Sequence, residues 1–361
     1  MTETAKYFVP GPTWVRPEIR QEMARPMIGH RTTEFKELFH GINADLKTLF
    51  GTQQDTFVIT ASGTGVMQAA LENCVARRVL VTTCGAFSER WYNIAESLGY
   101  EVDRLDAGWG NVVDPEELGD HLARHRTHYD AVTITHNETS TGVTNDVAAL
   151  TAAVREESPD TMVLVDSVSA LGGIPVQFDA WGADVCLASV QKGIALPPGI
   201  TVVAVSRQAL AGAKKHPYRG TYFDFVVYKE KADEDTVPST PSIPHFYALA
   251  KQLEHMIRGE GLEARYERHR RMRDIVIERT ARYAKVTSLA AGRENLSATV
   301  TALSPVLNPE TIKAEMKQRG YTLGGGYGIW KDTTFRIGHM GDISIADLEA
   351  MLDVLGEVAK G

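Results

Sequence analysis

The chain has 361 residues, of which 43% are hydrophobic and 23% charged, a composition that excludes disorder as a description of the whole. Its 38 Lys and Arg against 46 Asp and Glu give a formal net charge of -8, which disfavours nucleic acids and anionic membranes as partners. We expect a cytoplasmic protein, because the three cysteines lack CxxC spacing and no signal peptide or membrane-spanning apolar run is evident.

Short β-branched runs alternate with helical patterns along the first two-thirds of the chain. Their nearly uninterrupted apolar character is typical of strands covered on both faces, and the alternation predicts an α/β fold with a mostly parallel, doubly wound sheet. Before the first run, an apolar face from Phe35 to Leu49 predicts a helix with Thr32 or Thr33 as its N-cap. The predicted strands are residues 56–60, 79–83, 131–135, 161–166, 184–188 and 200–205.

The pattern changes after about residue 255. Residues 263–282 are highly charged and predict a helix with solvated faces, whereas residues 297–303 predict a strand. Asn308 and Pro309 are typical of a helix start, and the Ser344–Asp347 capping box predicts the last helix. The sequence therefore predicts a smaller α+β domain packed on the larger one.

Three chemically suggestive features lie where predicted strands end, which is where open α/β sheets bind ligands. The first is the loop Ala61-Ser-Gly-Thr-Gly65, which leads into a predicted helix. Small residues there allow backbone N–H groups and the positive end of a helix dipole to approach a phosphate. A tight turn with a purely packing role is the alternative, and the loop matches neither a P-loop nor a Gly-x-Gly-x-x-Gly dinucleotide motif.

The other two features are Asp166 and Lys192. A carboxylate at the end of a buried strand needs a partner, so Asp166 either caps the next segment or serves as counter-ion to a protonated ring nitrogen. A lone strand-end Lys is usually a surface residue, but Lys192 has no other charge between Ala188 and Gly199. A desolvated amine is a candidate Schiff-base nucleophile, and these groups together with the glycine-rich loop form a pyridoxal-phosphate site.

Further short motifs occur with these in one collinear set. They are Pro10-Gly-Pro12, Gly29-His-Arg31, Ser62-Gly-Thr-Gly65, His136-Asn-Glu-Thr-Ser-Thr-Gly142, Val165-Asp-Ser-Val-Ser169, Ser189-Val-Gln-Lys192, Pro197-Pro-Gly199 and Arg336-Ile-Gly-His-Met-Gly341. In this order, and essentially end to end, the chain resembles the class V branch of fold-type I pyridoxal-phosphate enzymes, specifically the alanine–glyoxylate and serine–glyoxylate aminotransferases.

The resemblance implies a fold and a division of the chain. A large domain (21–255) would hold the cofactor on a mostly parallel, seven-stranded-type sheet between helices. A small α+β domain (256–361) would follow it, and an N-terminal segment (1–20) would close over the active site. The family also implies a homodimer.

The resemblance implies residue roles as well. Lys192 would be the Schiff-base lysine and proton carrier, and Asp166 would keep the pyridine nitrogen protonated. Phe87 would stack on the ring, Arg336 would hold the substrate α-carboxylate, and Gly11 would close over the substrate. Further cofactor contacts are implied for Ser62, Gly63, Thr64, Gly65, Thr139, Ser189, Gln191 and, from the neighbouring subunit, Thr240.

Some positions depart from the family pattern. Phe87 stands where several relatives have Trp, and Val237 replaces an expected subunit-crossing Tyr, which removes one phosphate hydrogen bond. His30 and Arg31 are similar to a pair that, in phosphoserine aminotransferases, reaches across the dimer to an acidic group. Arg31 therefore either binds substrate or forms a structural ion pair beside the first helix.

The implied activity is transfer of an amino group from alanine or serine to glyoxylate or pyruvate. An acidic donor (aspartate, phosphoserine or 2-aminoethylphosphonate) is the alternative within the family. A cysteine desulfurase would need a mobile thiol in the C-terminal third, and the last cysteine is Cys186. A nucleotide-binding protein without pyridoxal phosphate would leave Asp166 and Lys192 without a role.

Overall fold

The structure is a computed structural model that describes residues 6–125, 128–216, 219–288 and 291–359, so the first five residues of the predicted N-terminal segment lie outside it. Its largest sheet has seven strands. They are β2 (Asp55–Ile59), β3 (Arg78–Thr83), β4 (Glu101–Asp106), β5 (Ala131–Thr135), β8 (Met162–Asp166), β9 (Val185–Ser189) and β10 (Thr201–Val205).

The strands lie in the order β2-β10-β9-β8-β5-β3-β4. Strand β10 runs antiparallel to both of its neighbours, and all other pairs are parallel. The predicted mostly parallel sheet is therefore confirmed. All six predicted strands are present, with boundaries shifted by at most one residue.

Helices cover both faces of this sheet, which is why its strands are almost uniformly apolar. Val163 and Val165 of β8 pack into one core and Leu164 into another, on the opposite face. None of the described helices is both long and apolar enough to cross a membrane. The helices of this part are α1 (Pro17–Glu22), α2 (Thr33–Phe50), α3 (Gly63–Cys74), α4 (Ala86–Ser97), α5 (Pro115–His125), α6 (Val147–Glu157), α7 (Phe178–Trp181), α8 (Arg207–Ala213), α9 (Phe225–Ala232) and α10 (Ile243–Glu254).

The sequence prediction missed β4 because that strand lies at the edge of the sheet. Only Leu105 of its residues is buried, and four of its six residues are charged. An edge strand with polar side chains shows neither a continuous apolar run nor a clean two-residue period.

A second sheet of five strands carries the C-terminal part, in the order β1-β13-β14-β12-β11. Its strands are β1 (Lys6–Phe8), β11 (Ala284–Val286), β12 (Val300–Pro305), β13 (Tyr321–Gly325) and β14 (Phe335–Gly338), and the helices beside them are α11 (Leu262–Thr280), α12 (Pro309–Gln318) and α13 (Ile345–Val358). The predicted N-caps Thr32, Asn308 and Ser344 each accept a hydrogen bond from the first turn of their helix. The three-part division of the chain stays a prediction.

Two features, one in the second sheet and one in helix α11 beside it, differ from the sequence prediction. The N-terminal segment contributes β1, which pairs in parallel with β13. Helix α11 is not solvated on all faces, because Arg265 and His269 are fully buried. Arg265 is tolerated there because it pairs with Glu260 (2.7 Å) and Asp342 (2.8 Å) and donates to the Gly193 carbonyl (2.8 Å). A short two-stranded ribbon, β6 (Asn137–Glu138) with β7 (Val143–Thr144), completes the fold.

Candidate active site

A cavity of about 270 Å³ lies at the carboxyl ends of β8 and β9, beside the start of α3. Parallel strands direct the loops that follow them to this edge of the sheet. The cavity is lined by Ser62, Gly63, Thr64, Met67, Phe87, Arg90, Asn137, Thr139, Asp166, Val168, Ser169, Ser189, Gln191 and Lys192.

The glycine-rich loop places the N-terminus of α3 at the cavity. Ser62 is the N-cap, and its hydroxyl accepts from the backbone N–H of Gly65 at 3.4 Å. Gly63 begins the helix, and a Cβ there would lie 2.7 Å from the Ser189 hydroxyl. This crowding favours glycine at the start of the helix, where the backbone N–H groups and the helix dipole are suited to bind an anion.

Asp166 ends β8 with a carboxylate that is only 6% exposed. Its oxygen accepts from the backbone N–H of Val168 at 2.8 Å. Burial raises the pKa of this carboxyl to about 6, although the Val168 bond opposes the shift. With that pKa the carboxyl is mostly ionised at neutral pH. None of the described cationic side chains forms an ion pair with it, although the charges of Arg90 and Lys192 act on it.

Lys192 follows β9 and carries its amine into the same cavity. The amine donates to the Pro10 carbonyl of the N-terminal segment and lies 6.0 Å from the centre of the Phe87 ring. Burial, and then the charge of Arg336, lower the pKa of Lys192 to about 8. An amine with that pKa is deprotonated far more readily at neutral pH than an ordinary lysine, as a nucleophile and proton carrier requires.

Phe87 lies in the first turn of α4, and a buried carboxylate fixes that turn. Glu138 is fully buried and accepts from the backbone N–H groups of Phe87 (3.0 Å) and Ser88 (2.8 Å). It also accepts from the backbone N–H (3.0 Å) and the hydroxyl (2.7 Å) of Ser140. The carboxylate thereby caps α4 from a distant part of the chain and sets the position of the Phe87 ring.

Arg336 lies on β14 and is only 8% exposed. Two of its nitrogens are held by backbone carbonyls, Nε by Gly325 at 2.7 Å and Nη1 by Thr139 at 3.1 Å. Its Cζ lies 5.5 Å from the centre of the Tyr327 ring, which stacks on Phe87 at 5.3 Å. No carboxylate of the described residues pairs with this guanidinium, which is suited to bind a ligand carboxylate.

The structure gathers most of the predicted site residues but not all. Gly65 adjoins the cavity through Ser62, and Gly11 touches Lys192, where a Cβ would come within 2.5 Å of the side chain. Arg31 and Thr240 are exposed and do not line the cavity of their own protomer. Their roles stay predictions.

Two residues with strong contacts were missed in the sequence. Glu138 stands inside a quoted motif, but its bonds go to a helix 50 positions earlier, which no local pattern reveals. Arg90 lines the cavity and follows Phe87 by one helical turn. That spacing places both side chains on one face of the helix and is visible in the sequence.

The residues present fit pyridoxal phosphate. The glycine-lined N-terminus of α3 suits a phosphate, the unpaired Asp166 suits a protonated ring nitrogen, and the Lys192 amine suits an aldehyde. These three requirements are met within one cavity.

Comparisons with known proteins agree with this fit. The sequence profile of the class-V aminotransferases matches residues 17–327. The chain is 34% identical to a serine–glyoxylate aminotransferase of Methylorubrum extorquens, over 98% of this chain and 89% of the relative. It is also 35% identical to a protein named soluble hydrogenase, small subunit, from a Synechococcus strain, over 99% of this chain and 94% of the relative.

A solved structure shows the same fold. An aspartate aminotransferase from Thermus thermophilus superposes with a TM-score of 0.90 at 30% sequence identity, covering 98% of this chain and 99% of that one. The predicted fold-type I architecture is thereby confirmed.

Proposed function

The chain belongs to the class V aminotransferase family, and from this premise we propose that it transfers an amino group from alanine or serine to glyoxylate or pyruvate. One observation carries the proposal. The buried Arg336 guanidinium has no carboxylate partner among the described residues, and it lies close enough to Lys192 to lower the pKa of that amine. An α-amino acid whose carboxylate binds Arg336 therefore has its α-carbon near Lys192.

We assign the cofactor contacts as the resemblance implies. Thr64, Gly65 and Gln191 hold the phosphate at the start of α3, beside Ser62 and Gly63 of the same loop, and Phe87 packs against the ring. The remaining contacts come from Thr139, Asp166, Ser189, Lys192 and Thr240 of the partner subunit. The exposed position of Thr240 on its own protomer supports this assignment, and with it a homodimer in which each subunit completes the other's site.

The chemistry divides between cofactor and protein. When bound, pyridoxal phosphate links to an amine through its aldehyde and accepts the electron pair released when the Cα–H bond of the donor breaks. Asp166, ionised at neutral pH, keeps the ring nitrogen protonated. Lys192 Nζ removes the α-proton as general base and returns it as general acid. Arg336 and Gly11 hold the donor in place and limit the access of water.

The small donor is favoured by the likeness to a serine–glyoxylate aminotransferase. The acidic donor remains the second candidate on the strength of two comparisons. The chain is 31% identical to an L-aspartate–glyoxylate aminotransferase of Paracoccus denitrificans and 30% identical to an aspartate aminotransferase of the same fold. Arg31 of the partner subunit would then contact the second acidic group.

A donor panel separates the two. The purified protein, loaded with pyridoxal phosphate, is supplied with glyoxylate or pyruvate and in turn with L-alanine, L-serine, L-aspartate, phosphoserine and 2-aminoethylphosphonate. The proposal predicts the highest kcat/KM for alanine or serine. Turnover confined to the acidic donors would replace it with the second candidate and make Arg31→Gln the next variant to test.

The desulfurase alternative has no support in the site. Cys74, Cys84 and Cys186 are all buried, and burial raises the pKa of each thiol, to about 12 for Cys84 and Cys186. A buried, protonated thiol is a poor acceptor of sulfur from a substrate. We also propose that the protein works in the cytoplasm, consistent with reduced cysteines, and fractionation of the source cells would test this.

A further inference from the structure

Arg90 is a cation that lines the cavity and forms no ion pair with any residue that the structure describes. It extends from α4, lines the cavity, and donates through Nη1 to the hydroxyl of Thr64 at 3.0 Å. Its guanidinium lies 4.8 Å from the centre of the Phe87 ring. No ion pair of the described residues includes it, and the adjacent Glu89 is bonded instead by the Trp109 indole N–H at 3.2 Å.

The position of this charge indicates its ligand. Thr64 is the second residue of α3, beside the open N–H groups at the positive end of the helix dipole. A guanidinium that touches Thr64 adds a full charge to the partial charges already directed at that point. Positive groups that converge on one point and form no ion pair are suited to an anion with several oxygens, and a phosphate accepts the parallel hydrogen bonds that arginine offers.

We propose that Arg90 binds the phosphate of the cofactor through an ion pair, with Phe87 holding the guanidinium plane in position. The inference rests on the proposed function, since it takes the anion to be the phosphate of pyridoxal phosphate. This ion pair would also compensate for the phosphate hydrogen bond that is lost because Val237 stands where the family pattern has Tyr. Arg90 is thus a binding residue for the cofactor and leaves Arg336 as the cation that binds the donor.

The test compares two ligands that differ only in the phosphate. Dissociation constants for pyridoxal phosphate and for pyridoxal are measured by equilibrium dialysis on the full-length protein, freed of cofactor, for the parent, Arg90→Gln and Arg90→Lys. Circular dichroism and thermal denaturation verify the fold of each variant. A charge-assisted hydrogen bond to phosphate predicts that Arg90→Gln weakens pyridoxal phosphate binding about 10- to 100-fold and changes pyridoxal binding little. The affinity of Arg90→Lys for pyridoxal phosphate should lie between those of the parent and Arg90→Gln, because lysine keeps the charge but cannot donate two parallel hydrogen bonds as arginine does.

The chain offers a matched control. Arg104 lies over the ring of Tyr92, also on α4, at 4.3 Å from the ring centre, but it is exposed and outside the cavity. Arg104→Gln removes the same kind of cation–aromatic contact and should leave both dissociation constants unchanged. Inorganic phosphate provides a second measurement, because its own dissociation constant should be higher for Arg90→Gln than for the parent.

The possible results are distinct. Equal weakening of both ligands in Arg90→Gln would show that Arg90 supports the Phe87 platform and would overturn the phosphate contact. Unchanged affinities with a loss of turnover restricted to dicarboxylic donors would assign Arg90 to the donor instead. A parent that binds neither ligand would refute the proposed function itself, and this inference with it.

Discussion

The cofactor side and the substrate side of the site are built in different ways. On the cofactor side, Ser62, Asp166 and Lys192 each follow directly from a strand of one sheet, so a short stretch of sequence fixes each position. On the substrate side, Arg336 lies on β14 of the second sheet, and Gly11 follows β1, which joins that sheet from the opposite end of the chain. The first construction is local and the second depends on tertiary packing.

The cofactor side depends most on Lys192. Lys192→Ala removes the covalent anchor and the proton carrier together, so we expect turnover to fall by about 10³-fold or more. Steady-state rates with alanine and glyoxylate measure it, with the exposed Lys214→Ala as control. Retention of a tenth of the parent rate would show that another base carries the proton.

Glu138 joins the two sides, since it holds Phe87 and is followed by Thr139, whose carbonyl holds Arg336. Glu138→Ala leaves buried N–H groups of Phe87, Ser88 and Ser140 without an acceptor. We expect the free energy of unfolding to fall by about 3 kcal/mol. Urea denaturation measures it beside Glu349→Ala, an exposed residue of α13. A loss below about 1 kcal/mol would mean that water or a rearranged turn satisfies these groups.

The substrate side is tested by Arg336→Lys. Lysine keeps the charge but cannot donate to the Gly325 and Thr139 carbonyls and at the same time bind a carboxylate through two parallel hydrogen bonds. We expect kcat/KM for the donor to fall about tenfold or more, with the affinity for pyridoxal phosphate nearly unchanged. The exposed Arg319→Lys is the control. An equal loss of cofactor affinity would contradict the separation of the two sides.

The smallest expected effect is that of the Arg336 charge, on the substrate side, on the pKa of Lys192, on the cofactor side. Without cofactor, Lys192 has a pKa of about 8, so its reactive neutral form increases as the pH rises and is half formed near pH 8. Capture of pyridoxal phosphate, followed by absorbance, should accelerate over that range. Arg336→Gln removes a neighbouring positive charge, which raises the pKa of Lys192 and moves the profile to higher pH. An unmoved profile would show that burial alone sets this pKa.

The same contrast explains how much the sequence could predict. The large-sheet strands, the α3 loop, Asp166 and Lys192 were predictable because apolar runs and the residues that end them are neighbours in the chain. The edge strand β4 and the strand β1, which pairs with β13, were not predictable, because neither sequence shows a two-residue apolar period. Glu138 was not predictable as a key residue, because its bonds to Phe87 and Ser88 reach back to α4. The buried Arg265 was not predictable either, because it lies in a highly charged stretch that is typical of a solvated helix.

The central claim is that this chain transfers amino groups, and a single half-reaction tests it most directly. The protein loaded with pyridoxal phosphate is mixed with L-alanine or L-serine without any acceptor, and the products are quantified by mass spectrometry. The account predicts pyridoxamine phosphate and the matching 2-oxo acid in amounts equal to the bound cofactor, and neither with Lys192→Ala. Release of ammonia with the cofactor still in its aldehyde form, or no reaction with any amino acid donor, would contradict it.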